Sequence, residues 1–274
     1  MTHDSIMRQY HFLEDPKALL HYSVYGEGKK AMLCFHGFGQ TSVYFHELEE
    51  VMKDEYTIYN FDLFYHGQSF WHAKDTPISK EYWAGLIGKF LKEKNIDRFS
   101  LTGFSMGGKF ALATLEAFPE RIDKIILIAP DGIKTSFWYS LATYPEWTRS
   151  FFRRLILKPG LYFNLTKFLR FFRIVDAGIL RFANTQMLTR EQRRRVYYSW
   201  VVFRELKFDM DKLAGLFIHH QIKPDIFLGT LDRIITEKNM DVLLKKLNHY
   251  EIHLLESGHS NLIKAVAGFM KSRK

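Results

Sequence analysis

The sequence predicts an α/β fold: a mainly parallel sheet of eight strands flanked by helices, with a helical insertion after the sixth strand. Three observations carry this. Short, nearly all-apolar runs alternate with stretches of helical spacing in both the first and last parts of the chain, the pattern of strand–helix–strand units. One such run turns into a helix through Gly103-Phe104-Ser105-Met106-Gly107, glycines two before and two after a serine. From Lys134 to about Lys212 the alternation stops, and nothing there resembles a buried strand.

Taken in order, Tyr10–Leu13 and Leu19–Tyr25 read as an opening pair of strands joined by a turn at Asp15-Pro16. Ala31–Phe35 is a strand covered on both faces, followed by His36-Gly37-Phe38-Gly39 and a helix over Ser42–Lys53. Tyr56–Phe61 is the next strand and runs into Asp62-Leu63-Phe64-Tyr65-His66-Gly67-Gln68-Ser69. Trp83, Leu86, Ile87, Phe90 and Leu91 recur at helical spacing over Ser79–Lys94, with Ser79 as cap. Arg98–Thr102 is a strand, Lys109–Ala117 a helix and Ile122–Ile128 another buried strand, closed by Ala129-Pro130-Asp131-Gly132. After the insertion come a strand over Asp225–Leu228, a helix over Thr236–Leu247, a strand over Tyr250–Leu255 and a last helix over Ser260–Met270. The expected organisation is a core of residues 1–133 and 213–274 with an inserted helical lid, 134–212.

Composition narrows the classes. With 274 residues the chain can bury a large core. Its single cysteine, Cys34, excludes a disulfide framework within one chain and reads as a buried small hydrophobe. Met1–Ser5 shows no basic stretch leading into an apolar run, and no run reaches the ~20 apolar residues of a membrane span. The expectation is a cytoplasmic protein, peripheral to the membrane if the lid binds lipid. The net charge of +9 is concentrated: Lys134–Lys212 holds 16 Lys and Arg against 6 Asp and Glu, so the rest of the chain carries −1.

The serine turn is the centre of the chemical reading. A strand that turns sharply into a helix holds a serine clear of its neighbours, beside the free N–H groups of the helix start. A serine is a poor nucleophile until a base takes its proton, and that base needs an acid to fix its tautomer. In the order serine, acid, histidine, the candidates are Ser105, Asp232 just past one strand and His259 just past the next. Asp131 is a rival acid, with a turn role in Pro130-Asp131-Gly132 as its plainer reading. Two backbone donors are needed for a developing oxyanion, and the N–H groups of Met106 and Phe38 are the candidates. His36 reads as a buried residue bonding the loop. No metal cluster or dinucleotide fingerprint is evident, so no cofactor is expected.

On His36-Gly37-Phe38-Gly39, Asp62 with His66-Gly67-Gln68-Ser69, Gly103-Phe104-Ser105-Met106-Gly107-Gly108, Asp232 and Gly258-His259, the chain resembles lid-bearing proteins of the α/β-hydrolase fold. The resemblance covers residues 20–132 and 213–270. It implies a Ser-His-Asp hydrolase of small-molecule carboxylic esters, with lipid-like esters and acyl thioesters in range, and a structural role for Asp62–Ser69. Phe64 and Tyr65 depart from the small or basic residues often found there, which leaves open whether that loop lines the pocket. Carbon–carbon bond cleavage is the alternative chemistry, although such relatives often carry arginine where Lys109 stands; a non-catalytic receptor on the same fold is a further one.

The lid itself resembles no named module. Phe151–Lys158 and Leu161–Arg173 mix large apolar side chains with cations, a composition that suits either the cover of a greasy pocket or an anionic lipid surface. Arg193-Arg194-Arg195 reads as a solvated helix face, with binding of phosphate or carboxylate as the alternative, and nucleic acid is not an expected partner.

Overall fold

The computed structural model describes residues 7–134, 137–171 and 184–273. The chain forms two compact units, one of Met1–His72, Ser79–Lys134 and Leu206–Lys274, the other of Ala73–Ile78 and Thr135–Glu205.

The larger unit is built on strands β1 (Gln9–Asp15), β2 (Ala18–Tyr25), β3 (Lys30–Phe35), β4 (Tyr56–Phe61), β5 (Phe70–Trp71), β6 (Phe99–Phe104), β7 (Ile122–Ile128), β8 (Pro224–Gly229) and β9 (Glu251–Leu255). They lie in the order β1-β2-β4-β3-β6-β7-β8-β9, with β5 also paired to β2. The pairs involving β2 are antiparallel, whereas β4, β3, β6, β7, β8 and β9 run parallel. Eight of these strands are the expected ones. The ninth, β5, has two residues, too few to leave a periodic signal.

Parallel strands in the middle of the sheet are covered on both faces, which is why all six residues of β6 are buried. Helix α1 (His46–Met52) follows a 3₁₀ turn over Ser42–Phe45, so the single helix expected there is divided in two. Helix α2 (Lys80–Glu93) starts at Ser79, whose side chain accepts from the Tyr82 amide at 3.1 Å, and buries all five residues of its apolar stripe. One of them, Trp83, packs its ring against Phe35 and Phe110 at centroid separations of 5.6 and 4.8 Å. Its indole N–H meets the Thr114 hydroxyl at 3.0 Å, so the largest core side chain is buried without an orphaned donor. Helix α3 (Gly107–Ala117) lies against β6 in the centre of the fold.

The smaller unit contains helices α4 (Phe137–Thr143), α5 (Glu146–Leu157), α6 (Pro159–Phe171) and α7 (Arg190–Val202). It has its own small core, where Ile156, Met187, Tyr197 and Val201 are buried together with Phe152 and Tyr162 packed on them. A capping box of Thr189 and Gln192 begins α7. The expected boundary at residue 212 falls within the next helix, α8 (Met210–His219), which Asp209 caps and which belongs to the larger unit. The loss of strand–helix alternation and the basic excess place that boundary only to within a few residues, and Lys212 lies outside the smaller unit. Helices α9 (Glu237–Leu244) and α10 (Leu262–Lys271) complete the larger unit.

Candidate active site

The carboxyl ends of the parallel strands carry the site. Ser105 follows β6 directly, with φ of +50°, a left-handed backbone angle rare for a residue bearing Cβ. Its amide donates to the Ile128 carbonyl at 3.0 Å, while its carbonyl accepts from Gly108 and Asp131, both at 2.8 Å. The turn is held from both sides. A Cβ on Gly107 would lie 1.9 Å from the Phe35 carbonyl oxygen, so the start of α3 approaches β3 at a distance only glycine permits.

His259 stands beyond β9 and Asp232 beyond β8. The His259 Nε2 lies 3.0 Å from the Ser105 hydroxyl, and its Nδ1 lies 2.6 Å from Asp232 Oδ2. The other Asp232 oxygen accepts the amides of Ile234 and Ile235 at 2.7 and 3.1 Å. With both carboxylate oxygens accepting, Asp232 takes Nδ1–H from His259 and leaves Nε2 as the base facing the hydroxyl. Asp232 is buried, whereas Ser105 and His259 are partly accessible. Three residues far apart in sequence thus form one hydrogen-bonded chain.

The rival acid is placed elsewhere. Asp131 pairs with the buried Lys109 ammonium at 3.2 Å, and its own oxygen accepts from the Gly132 amide at 2.7 Å. It is a turn residue with an ion pair.

The second backbone donor sits in a loop fixed by histidines. His36 is fully buried; its Nε2 accepts from the Leu63 amide at 2.9 Å and its Nδ1–H donates to the Gly37 carbonyl at 2.7 Å. The Gly37 amide is taken by Gln40 Oε1 and the Gly39 amide by His66 Nε2, each at 2.9 Å. Among the described residues the Phe38 amide between them has no protein acceptor, nor has that of Met106. The two loops abut, since a Cβ on Gly37 would lie 2.9 Å from the Phe104 ring.

Asp62 ties this loop to the sheet. It accepts from His21 Nδ1 at 2.8 Å, the Ser42 amide at 2.6 Å and the Gln68 amide at 3.0 Å. Burial pushes the Asp62 carboxyl up, but these hydrogen bonds outweigh it and bring the group down to about 2. Phe64 in the same loop is fully buried and packs on Trp71 at 5.4 Å.

Two supports are not visible in the sequence. Tyr44 stacks on Phe104 at 5.9 Å and donates its hydroxyl to the Ser260 carbonyl, while Phe104 in turn packs on the His259 ring at 5.0 Å. His66, read only as part of a structural loop, positions the Gly39 amide. Neither has a local signature, because each acts on a segment distant along the chain.

A family model of the alpha/beta hydrolase fold matches residues 30–163. The chain has the α/β-hydrolase fold. The chain is 29% identical over 123 residues to the dihydrolipoyllysine-residue acetyltransferase component of an acetoin cleaving system from Cupriavidus necator, a match covering 45% of this chain and 32% of that one. It therefore spans about a third of that relative's length. Among solved structures, a thermophilic esterase from Thermogutta terrifontis is similar at a TM-score of 0.70 and 17% identity, covering 97% of this chain and 96% of that one. A bacterial membrane phospholipase A is similar at a TM-score of 0.66 and 16% identity, covering 97% and 84%. At such identities the likeness is one of fold. In open α/β sheets ligands bind beyond the carboxyl ends of the strands, and the hydrogen-bonded chain of Ser105, His259 and Asp232 lies there.

The opposite end of the sheet is different. A cavity of about 710 Å³ is lined there by residues that open their strands, among them Lys30, Tyr56, Asp225 and Glu251. Asp225, Glu251 and His253 come close enough to suggest a cation site. The carboxylates already face Lys124 at 3.3 Å and Lys223 at 2.5 Å, so the negative charge a cation needs is neutralised.

Proposed function

We propose that this chain is a serine hydrolase of carboxylic esters, acting through an acyl-enzyme. The observation that carries the reading is the unbroken hydrogen-bonded chain from Ser105 through His259 to Asp232. In this reading Ser105 Oγ attacks the ester carbonyl while His259 Nε2 takes its proton. Asp232, held by the Ile234 and Ile235 amides, stabilises the imidazolium that results. The N–H groups of Phe38 and Met106 receive the oxyanion, each contributing about 3 kcal/mol to the transition state. Collapse of the intermediate expels the alcohol, which takes the proton from His259. Water then repeats the sequence and releases the acid. Lipid-like esters and acyl thioesters undergo the same steps, and a phospholipase among the proteins of similar fold keeps the former in range.

A fluorophosphonate probe tests the reading directly. Wild type is labelled and Ser105→Ala is not, and ester turnover in that variant falls about 10⁴-fold or more, with His259→Ala adding little on top. Absence of labelling in the folded wild-type chain overturns the proposal in favour of a binding protein. A series of p-nitrophenyl esters of increasing acyl length then defines the substrate class.

A further inference from the structure

The hydrolase reading makes no use of the outward surface of α5 and α6. Helix α5 buries Leu155 and Ile156, the latter in the small core of its own unit. A surface helix with one face so packed ordinarily turns charge toward water on the other. Here the other face is mixed. Trp147, Phe151 and Arg154 follow one another at i, i+4 and i+7, with Arg153 and Leu157 flanking them, and all five are exposed. Trp147 is 73% exposed and Leu157 64%. On α6 the exposed residues again combine Leu161 and Phe168 with Lys167 and Arg170.

Charge decides what such a surface fits. From Glu146 to Phe171 there are six Lys and Arg and one acid, Glu146, which Arg149 faces at 3.5 Å. A second copy of the same surface would set like charge against like. Nucleic acid would satisfy the cations but leave the aliphatic ends of Leu157 and Leu161 in water. The interface of an anionic bilayer supplies both requirements, headgroup charge at the surface and acyl chains a few ångströms below it. Among the described residues no helix is long and apolar enough to cross a membrane, so contact would be from one side.

We infer that the outward faces of α5 and α6 dock this protein on the surface of an anionic lipid bilayer, with Trp147, Phe151 and Leu157 inserted among the acyl chains and Arg153 and Arg154 at the headgroups. The inference does not depend on the hydrolase reading, because it needs neither Ser105 nor His259.

The test is co-sedimentation of the full chain with vesicles of equal phosphatidylglycerol and phosphatidylcholine, at low salt of about 50 mM, where screening is weak. The chain pellets with these vesicles and stays in solution with phosphatidylcholine alone or in high salt. Arg153→Gln with Arg154→Gln lowers the partition coefficient about 25-fold, at about one surface-charge increment per residue. Trp147→Ser with Phe151→Ser also weakens binding, and bound wild type gains a blue-shifted emission that Trp147→Phe lacks. All these side chains are exposed, so melting and fluorophosphonate labelling stay unchanged, while Ser105→Ala binds vesicles as wild type does. Failure to pellet at low salt, or equal binding by the Arg153/Arg154 variant, overturns the inference. So does a dimer in sedimentation velocity that the Trp147/Phe151 variant dissociates, since a second copy would then be what covers the surface.

Discussion

Charged groups in the α/β unit are placed one by one, whereas those on the helical unit are massed. In the former, Glu49 lies buried between Arg8 and Asn60, Asp62 accepts from three donors, and Lys109 meets Asp131. Burial raises the Glu49 carboxyl and the Arg8 guanidinium works against that rise, so the pair persists only through close contact. In the helical unit Arg153, Arg154, Lys167 and Arg170 stand on the exposed sides of two helices beside exposed rings. Placed charge depends on a backbone position and fails when one partner is changed. Massed charge acts through its sum and tolerates single losses.

The sharpest way to break this comparison is at the acid of the proposed triad, Asp232. Asp232→Asn leaves the shape intact but offers His259 Nδ1 the wrong partner, and turnover falls about 10⁴-fold. Asp131→Asn loses only the Lys109 ion pair and a turn contact, so turnover stays within about tenfold. Steady-state ester hydrolysis by the two variants distinguishes them, and the reverse ranking would transfer the acid's role to Asp131.

Backbone proximity gives the next effect. Gly107→Ala pushes a methyl group against the Phe35 carbonyl, and the α/β unit loses about 3 kcal/mol in urea unfolding. Gly160, near the start of α6, has nothing within 4 Å of an added Cβ, so Gly160→Ala is neutral or slightly stabilising, by up to about 1 kcal/mol. Equal destabilisation by both variants would remove the distinction between the units.

Acid stability follows from Asp62. Its carboxyl titrates at about 2 in the folded chain, below the ~3.9 of an unfolded aspartate, so the folded state binds this proton less tightly. The stabilisation is complete above about pH 5 and is lost as pH falls through about 2, worth about 2.5 kcal/mol in all. Asp62→Asn removes that amount at neutral pH and flattens the stability curve between about pH 5 and 2. A wild-type curve already flat in this window would show that the three donors do not hold the carboxylate.

These effects also mark what could be read from sequence. The elbow, His36–Gly39, Asp232 and His259 are legible because each is a short pattern whose glycines or strand-end positions impose a local geometry, and the structure brings those residues together. The support of His259 through Tyr44 and Phe104 is not legible, because Tyr44 lies 216 residues from Ser260 and nothing near it signals the contact. Strand β5 is too short to announce itself, and Ala73–Ile78 joins the helical unit without any compositional change. The edge of that unit is marked in sequence only by the end of strand–helix alternation and by a basic excess, both of which extend over many residues and cannot place a boundary to the residue.

The same averaging hides differences within Arg193-Arg194-Arg195, which reads as one solvated face. Arg193 is instead spent inside the helical unit: its Nε donates to the Ile156 carbonyl and its Nη1 to those of Met187 and Leu188, all at 3.0 Å. It thereby caps the last turn of α5 with a cation, where the helix dipole favours one. Arg194 is exposed and lies 5.8 Å from the Tyr198 ring. Arg193→Gln accordingly destabilises the helical unit by about 1.5 kcal/mol, the value of charge-assisted hydrogen bonds lost to half-buried carbonyls, whereas Arg194→Gln stays within about 0.5 kcal/mol. Hydrogen exchange at the amides of Phe152–Leu157 reads the change where it occurs, and equal protection in the two variants would return Arg193 to the massed charges of the surface.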